Sequence, residues 1–271
     1  MKTKQTRKLK NATIKRHRHR YQQRGGEIYI QTQRIQNDRY KIITAETDDD
    51  TGILLHLYIG NAKAIFPVSQ GCGRESISGP RHGSYLFHGK GMLYSLYPDN
   101  VFLIYEGMFK NNERSGKGKQ TFFRSKGPID HGIQTLDDLE GMTLEQVNEL
   151  MNLLSSNNDI LEVYDGTWQN GMKHGKGKLL MNLDKSLYNG DFQNGMMHGN
   201  GKILYQTGPI VSYDGGWYAG QMHGLGEIVY RDGHTSRSEY NHGNLIRHFP
   251  IGSVFGRNFF SSVTPHVFGS L

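Results

Sequence analysis

Apolar and polar residues alternate along the middle of the chain, and most of the apolar positions are aromatic rings or glycines. In Tyr164-Asp-Gly-Thr-Trp168, the tyrosine, glycine and tryptophan occupy every second position. They therefore share one face of a β-strand. Asn170-Gly171 follows, a pair typical of two-residue hairpin turns because both residues need positive φ. Leu179 continues the apolar face beyond the turn. The pattern predicts a β-hairpin.

The hairpin pattern recurs along the chain as Y-x-G-x-(W/F)-x-x-G-x-x-x-G-x-G. Full copies start at Tyr105, Tyr164, Tyr188 and Tyr213, and the last three starts are 24 and 25 residues apart. Partial copies starting at Arg81 and Ser236 flank them, and degenerate end units are typical of repeat arrays. The aromatic positions are Tyr105, Phe109, Tyr164, Trp168, Tyr188, Phe192, Tyr213, Trp217 and Tyr240. The repeat glycines are Gly107, Gly116, Gly118, Gly166, Gly171, Gly175, Gly177, Gly190, Gly195, Gly199, Gly201, Gly215, Gly220, Gly224 and Gly226.

This repeat resembles the MORN (membrane occupation and recognition nexus) family over roughly residues 81–248. The departures are Asn112, which replaces a glycine in the first full copy, and the long insertion after that copy. The resemblance implies an all-β fold, an elongated, twisted antiparallel sheet of stacked β-hairpins. It also implies a scaffold, often dimeric, with attachment to membranes or phosphoinositides in some members. We expect the aromatic ladder either to stabilise the sheet or to bind a partner.

The insertion, at about 124–163, predicts one amphipathic helix. Thr143 and Gln146 have the spacing of a capping box. Four apolar residues recur at helical spacing along one face: Leu144, Val147, Met151 and Leu154. Five carboxylates make the segment acidic, which disfavours insertion into anionic lipid: Asp137, Asp138, Glu140, Glu145 and Glu149. The helix either packs on the sheet or docks a partner or a second copy.

Positive charge is concentrated at the N-terminus. Residues 1–25 hold ten Lys and Arg and no Asp or Glu, so the net charge of +7 leaves −3 for the remaining residues. With few apolar residues, this stretch predicts a disordered basic tail. Its densest cluster is Lys15, Arg16, Arg18 and Arg20. Such a cluster attracts RNA, DNA or anionic lipid without distinction, or serves only as a solubilising tail.

The regions beside the repeats give weaker signals. Residues 26–80 predict short strands at 27–30, 40–43 and 53–59, either further hairpins of the sheet or a small separate module. Residues 249–271 carry no acidic residue and four phenylalanines after Phe249. We expect this segment to cap the edge of the last strand; a tail that touches a membrane is the alternative.

The sequence predicts no catalytic site, no metal, no cofactor and no small-molecule substrate. His174, His198 and His223 recur in the repeats, but equivalent residues of adjacent hairpins are about 9.6 Å apart, too far for shared zinc ligation. Gly-Lys-Gly-Lys at 116–119 and 175–178 lacks the spacing of a phosphate-binding loop. The one cysteine, Cys72, excludes a disulfide framework within the chain.

The repeats and the basic tail lead to one functional expectation and two alternatives. The first is a non-catalytic scaffold that mediates protein–protein interaction or self-association. The second is a peripheral membrane or phosphoinositide binder, and the third is a nucleic-acid-associated protein that acts through the tail. We expect a cytoplasmic location, with association with membrane or cytoskeleton as an extension of it; a nuclear location is the weaker expectation.

Overall fold

The computed structural model describes residues 16–23, 26–36, 39–48, 52–64, 85–97, 101–125, 146, 149 and 158–249. All but a few of them lie in β-strands or in the turns between strands. The strands are β1 (Arg16–Gln23), β2 (Gly26–Gln36), β3 (Arg39–Asp48), β4 (Gly52–Ala64), β5 (Tyr85–Leu96), β6 (Val101–Lys110), β7 (Glu113–Ser125), β8 (Asn158–Gln169), β9 (Met172–Met181), β10 (Ser186–Gln193), β11 (Met196–Tyr205), β12 (Ile210–Tyr218), β13 (Gln221–Tyr230), β14 (Thr235–Asn241) and β15 (Asn244–Phe249).

The strand order in the sheet follows the order of the chain. The predicted all-β sheet of stacked antiparallel hairpins is therefore confirmed. The chain divides into two compact units. The first unit is Met1–Ile104, Phe109–Asn112 and Ser125–Asn158, and the second is Tyr105–Met108, Glu113–Arg124 and Asp159–Leu271.

In the second unit, strands β8 to β14 pair so that the repeat glycines face one another. Gly166 pairs with Gly177 within one hairpin, and Gly177 pairs with Gly190 of the next. The same register continues from Gly201 to Gly215. A one-residue slip would move every ring to the other face, so the pattern of rings and glycines fixes this register.

The last partial copy of the repeat lies where the sequence placed it. Tyr240 pairs with Gly224, as Trp217 pairs with Gly199 one hairpin earlier. Ser238 stands where the earlier copies have glycine and is fully buried.

In the first unit, β1 to β5 pair in sequence. The short strands predicted at 27–30, 40–43 and 53–59 lie within β2, β3 and β4. Because β4 pairs with β5, these strands continue the hairpins of this unit and are not a separate module.

The prediction of a disordered tail over 1–25 is wrong for Arg16–Gln23, which form β1 and pair with β2. An edge strand needs backbone hydrogen bonds more than apolar side chains, and charged residues are common at sheet edges. Residues 1–15 and 24–25 lie outside the described residues.

The partial repeat predicted from Arg81 is also corrected. Gly91, on β5, pairs with Gly60 of β4. The first half of this repeat is therefore Tyr58-Ile-Gly60, and not residues 81–85. The break between the halves is the stretch 65–84, which hides the repeat from a search at constant spacing.

Of the predicted inserted helix, Gln146 and Glu149 are helical and exposed, and its apolar residues lie outside the described residues. The predicted C-terminal cap lies there too, apart from Phe249, which ends β15. Within the described ranges, no helix has the length and apolar character needed to cross a membrane.

Candidate interaction surface

The predicted ladder of rings is continuous in the second unit, on what we call the aromatic face of the sheet. Neighbouring rings meet edge to face, with centroids 5.0–5.7 Å apart and planes at 80–89°. The order along the ladder is Tyr105, Trp168, Tyr164, Phe192, Tyr188, Trp217, Tyr213 and Tyr240. Edge-to-face contacts of this kind add about 0.5–1.5 kcal/mol each beyond the area that they bury.

Each repeat tyrosine lies flat over a pair of glycines. A Cβ atom added to Gly177 would stand 2.5 Å from the Tyr164 ring, and one added to Gly166 would stand 2.5 Å from its hydroxyl oxygen. The Tyr164 hydroxyl donates a hydrogen bond to the Thr167 carbonyl at 2.8 Å. The hydroxyl of Tyr188 does the same to the Asp191 carbonyl at 2.9 Å. Two glycines are needed because the ring occupies the space of both missing side chains.

The repeat glycines thus have two different roles. The first group lies beneath the rings: Gly107, Gly118, Gly166, Gly177, Gly190, Gly201, Gly215 and Gly226. The second group has positive φ, in the two-residue turns and just after them: Gly116, Gly171, Gly175, Gly195, Gly199, Gly220 and Gly224. The turn predicted at Asn170-Gly171 is confirmed, since both residues have positive φ.

The rings of the ladder are core and not surface. Tyr105, Tyr164, Tyr188 and Tyr213 are 0% exposed, and Trp217 is 6% exposed. Burial raises the pKa of Tyr105 and of Tyr164 to about 12. The prediction that these same rings bind a partner is therefore corrected, because they offer almost no surface to one.

Phe109 belongs to the first unit and packs in the same way. Its ring meets the rings of Tyr58 and Phe87 edge to face, at 5.2 and 5.8 Å. Phe87 in turn stacks on Tyr58 at 3.8 Å. Ala62 replaces the tryptophan or phenylalanine of other copies, and its strand partner Phe87 supplies the missing ring.

Cationic side chains also cover the aromatic face, which the sequence did not indicate. The Arg114 guanidinium lies 4.4 Å from the Trp168 ring and also donates to the Gln120 side chain. The Lys173 ammonium lies 5.4 Å from the Tyr164 ring. Each is the second residue after a hairpin turn, a position where the repeat pattern fixes no residue type.

The opposite side of the sheet, which we call the outer face, is the more open one in the second unit. Over β8–β13 it carries four exposed apolar side chains, three of them next to a hairpin turn, and we name the group the turn band: Met172 (46% exposed), Met196 (47%), Tyr218 (46%) and Leu225 (36%). Near the other end of the hairpins lies an aliphatic band of half-buried residues: Val163, Leu180, Leu187, Leu204 and Val229.

Between these two bands the outer face carries charges of both signs. Lys176 pairs with Asp191 at 2.7 Å, and Arg237 pairs with Glu227 at 2.7 Å. Exposed pairs of this kind contribute little to stability. Their effect is to leave this face without an excess of positive charge.

Tyr218 lies beside histidines on the outer face. Its ring centroid is 5.1 Å from those of His198 and His242 and 5.5 Å from that of His223. In the part of the chain that the structure describes, no group of three or more His, Cys, Asp or Glu could hold a metal ion. The histidines therefore add polar, aromatic surface to the turn band.

Of the residues predicted to bind polyanions, Arg16, Arg18 and Arg20 lie on alternate positions of β1. Alternate positions of a strand share one face and are about 6.6 Å apart. Lys15 lies outside the described residues.

Comparison with known families assigns the repeats. The sequence model of the MORN repeat matches residues 105–123, 164–181, 188–209 and 213–235. The chain is a MORN repeat-containing protein. The four matches correspond to the four full copies, so the MORN-like hairpins built on Tyr58 and Tyr240 lie beyond them. A search of curated proteins gave no match to this MORN protein.

Proposed function

We propose that this MORN protein is a non-catalytic scaffold that binds protein through the outer face of β8–β14, self-association being the simplest form of that binding. One observation carries the proposal: the four apolar side chains of the turn band, each 36–47% exposed, lie on one face of neighbouring hairpins. Single exposed apolar residues are ordinary, but an aligned group marks an interaction site.

The composition of the outer face favours a protein partner over an anionic surface. Methionine and tyrosine are enriched in protein–protein interfaces. Several charged groups between the two bands are paired with opposite charges, as in Lys202 and Asp214 at 3.5 Å. A face with balanced charge has little long-range attraction for lipid headgroups or nucleic acid.

Sedimentation velocity over a range of protein concentrations tests the proposal. The test variant replaces Met172, Met196 and Tyr218 together with serine. The matched control is Leu183→Ser, since Leu183 is 96% exposed but lies in the loop before β10. We expect the wild type and the control to self-associate and the test variant to do so at least tenfold more weakly, about 1.4 kcal/mol. Equal association of all three proteins would contradict the assignment of the surface.

The N-terminal basic cluster favours a second function, the binding of a polyanion. Ten Lys and Arg without a single acidic residue in residues 1–25 support it, as does the alternate spacing of the arginines in β1. Its test replaces Lys15, Arg16, Arg18 and Arg20 with glutamine in the full chain, which removes charge without deleting β1. Binding to RNA and to phosphoinositide vesicles is then measured against salt.

If the cluster binds polyanions, the variant loses affinity for both ligands, and the dependence of affinity on salt becomes shallower, because fewer counterions are released. Undiminished binding of the vesicles would mean that other parts of the protein recognise lipid. Absence of binding by the wild type would leave the basic residues a role in solubility alone.

A further inference from the structure

In the first unit, fully buried side chains lie on both faces of the sheet. Leu57 is 2% exposed and Tyr58 is 0% exposed, although consecutive residues of a strand point to opposite faces. Tyr58 belongs to the aromatic face, so Leu57 belongs to the outer face. Other outer-face residues of β3, β5 and β6 are buried as well, namely Lys41 (3% exposed), Leu96 (8%) and Phe102 (2%), whereas Tyr94 and Ile104 on this face are half-buried.

The second unit shows that the sheet does not bury its outer face by itself. There, Val163 and Leu187, which occupy the position of Leu57 in their own hairpins, remain half-buried. A second layer must therefore lie on the outer face of β3–β6. The strands themselves cannot supply it, because they are all members of the sheet.

We propose that this layer is the insertion between β7 and β8, which docks on the outer face of β3–β6 through Leu144, Val147, Met151 and Leu154. The insertion belongs to the same compact unit as β3–β5. Its length, residues 126–157, is enough for a helix of several turns with connections on both sides.

The two described residues of the insertion have the orientation that docking requires. Gln146 and Glu149 are helical and exposed. They are three positions apart and so share one side of a helix. On a helical projection, this side is opposite to the stripe of Leu144, Val147 and Met151.

Charge also favours the insertion as the segment that covers the outer face of β3–β6. Lys41 is buried on the outer face, and a buried ammonium is stable only beside acceptor groups. The insertion carries an excess of carboxylates, whereas the N-terminal residues 1–15 carry no carboxylate. The acidic insertion therefore complements the face better than the basic N-terminus.

This docking would limit where the protein can bind others. The outer face of the first unit would be occupied by the chain's own insertion and would offer no sheet surface to a partner. The inference does not depend on the proposed function, since it rests on the burial in the first unit and on the charge and helical residues of the insertion.

Photocross-linking of the full-length protein tests the docking. Benzoylphenylalanine is placed at Val147 and, as the matched control, at Glu149, whose side chain is exposed. Mixing labelled with unlabelled protein separates links within a chain from links between copies. We expect the Val147 probe to link, within one chain, to peptides of β3–β6, several-fold more than the control does. Links to a second copy, to β8–β15, to residues 1–15, 65–84 or 250–271, or to nothing, would overturn the proposal.

A measurement on the wild type tests the docking without the photocross-linking residue, which could itself disturb folding. Peroxide oxidises accessible methionines to sulfoxides, which peptide mapping follows for each residue. We expect Met151 to be oxidised several-fold more slowly than the exposed Met172 and Met108. Equal rates at the three residues would mean that Met151 is not docked.

Discussion

The pairing of one tyrosine with two glycines can be tested at Gly201. A Cβ atom at this position would stand 2.2 Å from the Tyr188 hydroxyl oxygen and 2.4 Å from two ring carbons. Contacts under 3 Å are not tolerated, so Gly201→Ala must displace the ring. Tyr188 is 0% exposed and is held by its hydrogen bond to the Asp191 carbonyl.

The expected cost of Gly201→Ala follows from what the displaced ring loses. Forcing an extra carbon into a packed core costs about 1–3 kcal/mol. Loss of the tyrosine hydrogen bond adds about 1 kcal/mol. The Gly201 carbonyl also accepts a hydrogen bond from Trp217 Nε1 at 2.9 Å, which the same shift would weaken. We therefore expect a loss of roughly 2–4 kcal/mol in the free energy of unfolding.

Denaturant unfolding, followed by tryptophan fluorescence, measures this loss. The control is Asn200→Ala, since Asn200 is the exposed neighbour on the same strand and should lose less than about 0.5 kcal/mol. A double-mutant cycle isolates the clash, because Gly201→Ala should cost far less in a Tyr188→Ala background. The reasoning is refuted if Gly201→Ala matches the wild type or costs the same in both backgrounds.

Three further predictions concern single residues. Ala219 has φ of 48° in its turn, where the other described copies have asparagine or histidine. Because asparagine tolerates positive φ better than alanine, Ala219→Asn should raise the free energy of unfolding by about 0.5–1 kcal/mol in the same assay. An unchanged unfolding midpoint would contradict this. Burial lowers the pKa of His56 to about 4 from its usual 6.5, so the folded protein binds fewer protons than the unfolded chain. The free energy of unfolding should therefore fall by up to about 3 kcal/mol as the pH drops from 6.5 to 4. His56→Gln should reduce that pH dependence, and an identical pH profile would contradict the explanation. Trp217→Ala should cost roughly 3 kcal/mol, because it removes a buried ring and its hydrogen bond to the Gly201 carbonyl; a ring that faces solvent would give a change within error.

The architecture of the repeats could be predicted because the same physical constraint recurs at constant spacing. Rings at alternate positions need one buried face, and the repeat glycines mark the places where a ring lies against the backbone, as the Tyr188 ring does at Gly201. The hairpins and the turn at Asn170-Gly171 followed from this pattern without the structure. Tyr240 could be placed in the same way, although its repeat lacks most of the glycines.

Where the spacing is broken, the sequence misleads. The halves of the Tyr58 repeat are separated by a long insertion, so the sequence suggested instead a partial copy starting at Arg81. The pairing of Gly60 with Gly91 is a contact between distant residues, and local periodicity carries no signal for it. Basic composition hid β1 for a related reason, because strand pairing depends on backbone hydrogen bonds to β2 as much as on side chains.

The use of the rings could not be read from their pattern. Aromatic residues at alternate positions serve equally well as a core or as a binding surface. What decides is whether the neighbouring rings fill the space around each of them, as Trp168 and Phe192 do around Tyr164. The turn band was missed because Met172 and Tyr218 occupy positions where the repeat pattern fixes no residue type.

Hydroxyl-radical footprinting tests most directly the claim that the rings form the core and that the turn band binds protein. The full-length protein is labelled first when dilute and then at concentrations where it associates. Methionine, tyrosine and tryptophan side chains all react readily when accessible, so one experiment reports on both groups of residues. The account predicts that Met172, Met196 and Tyr218 are labelled in the dilute protein and protected on association, while Trp168 and Trp217 stay unlabelled throughout. Labelling of the two tryptophans in the dilute protein, followed by their protection on association, would contradict it.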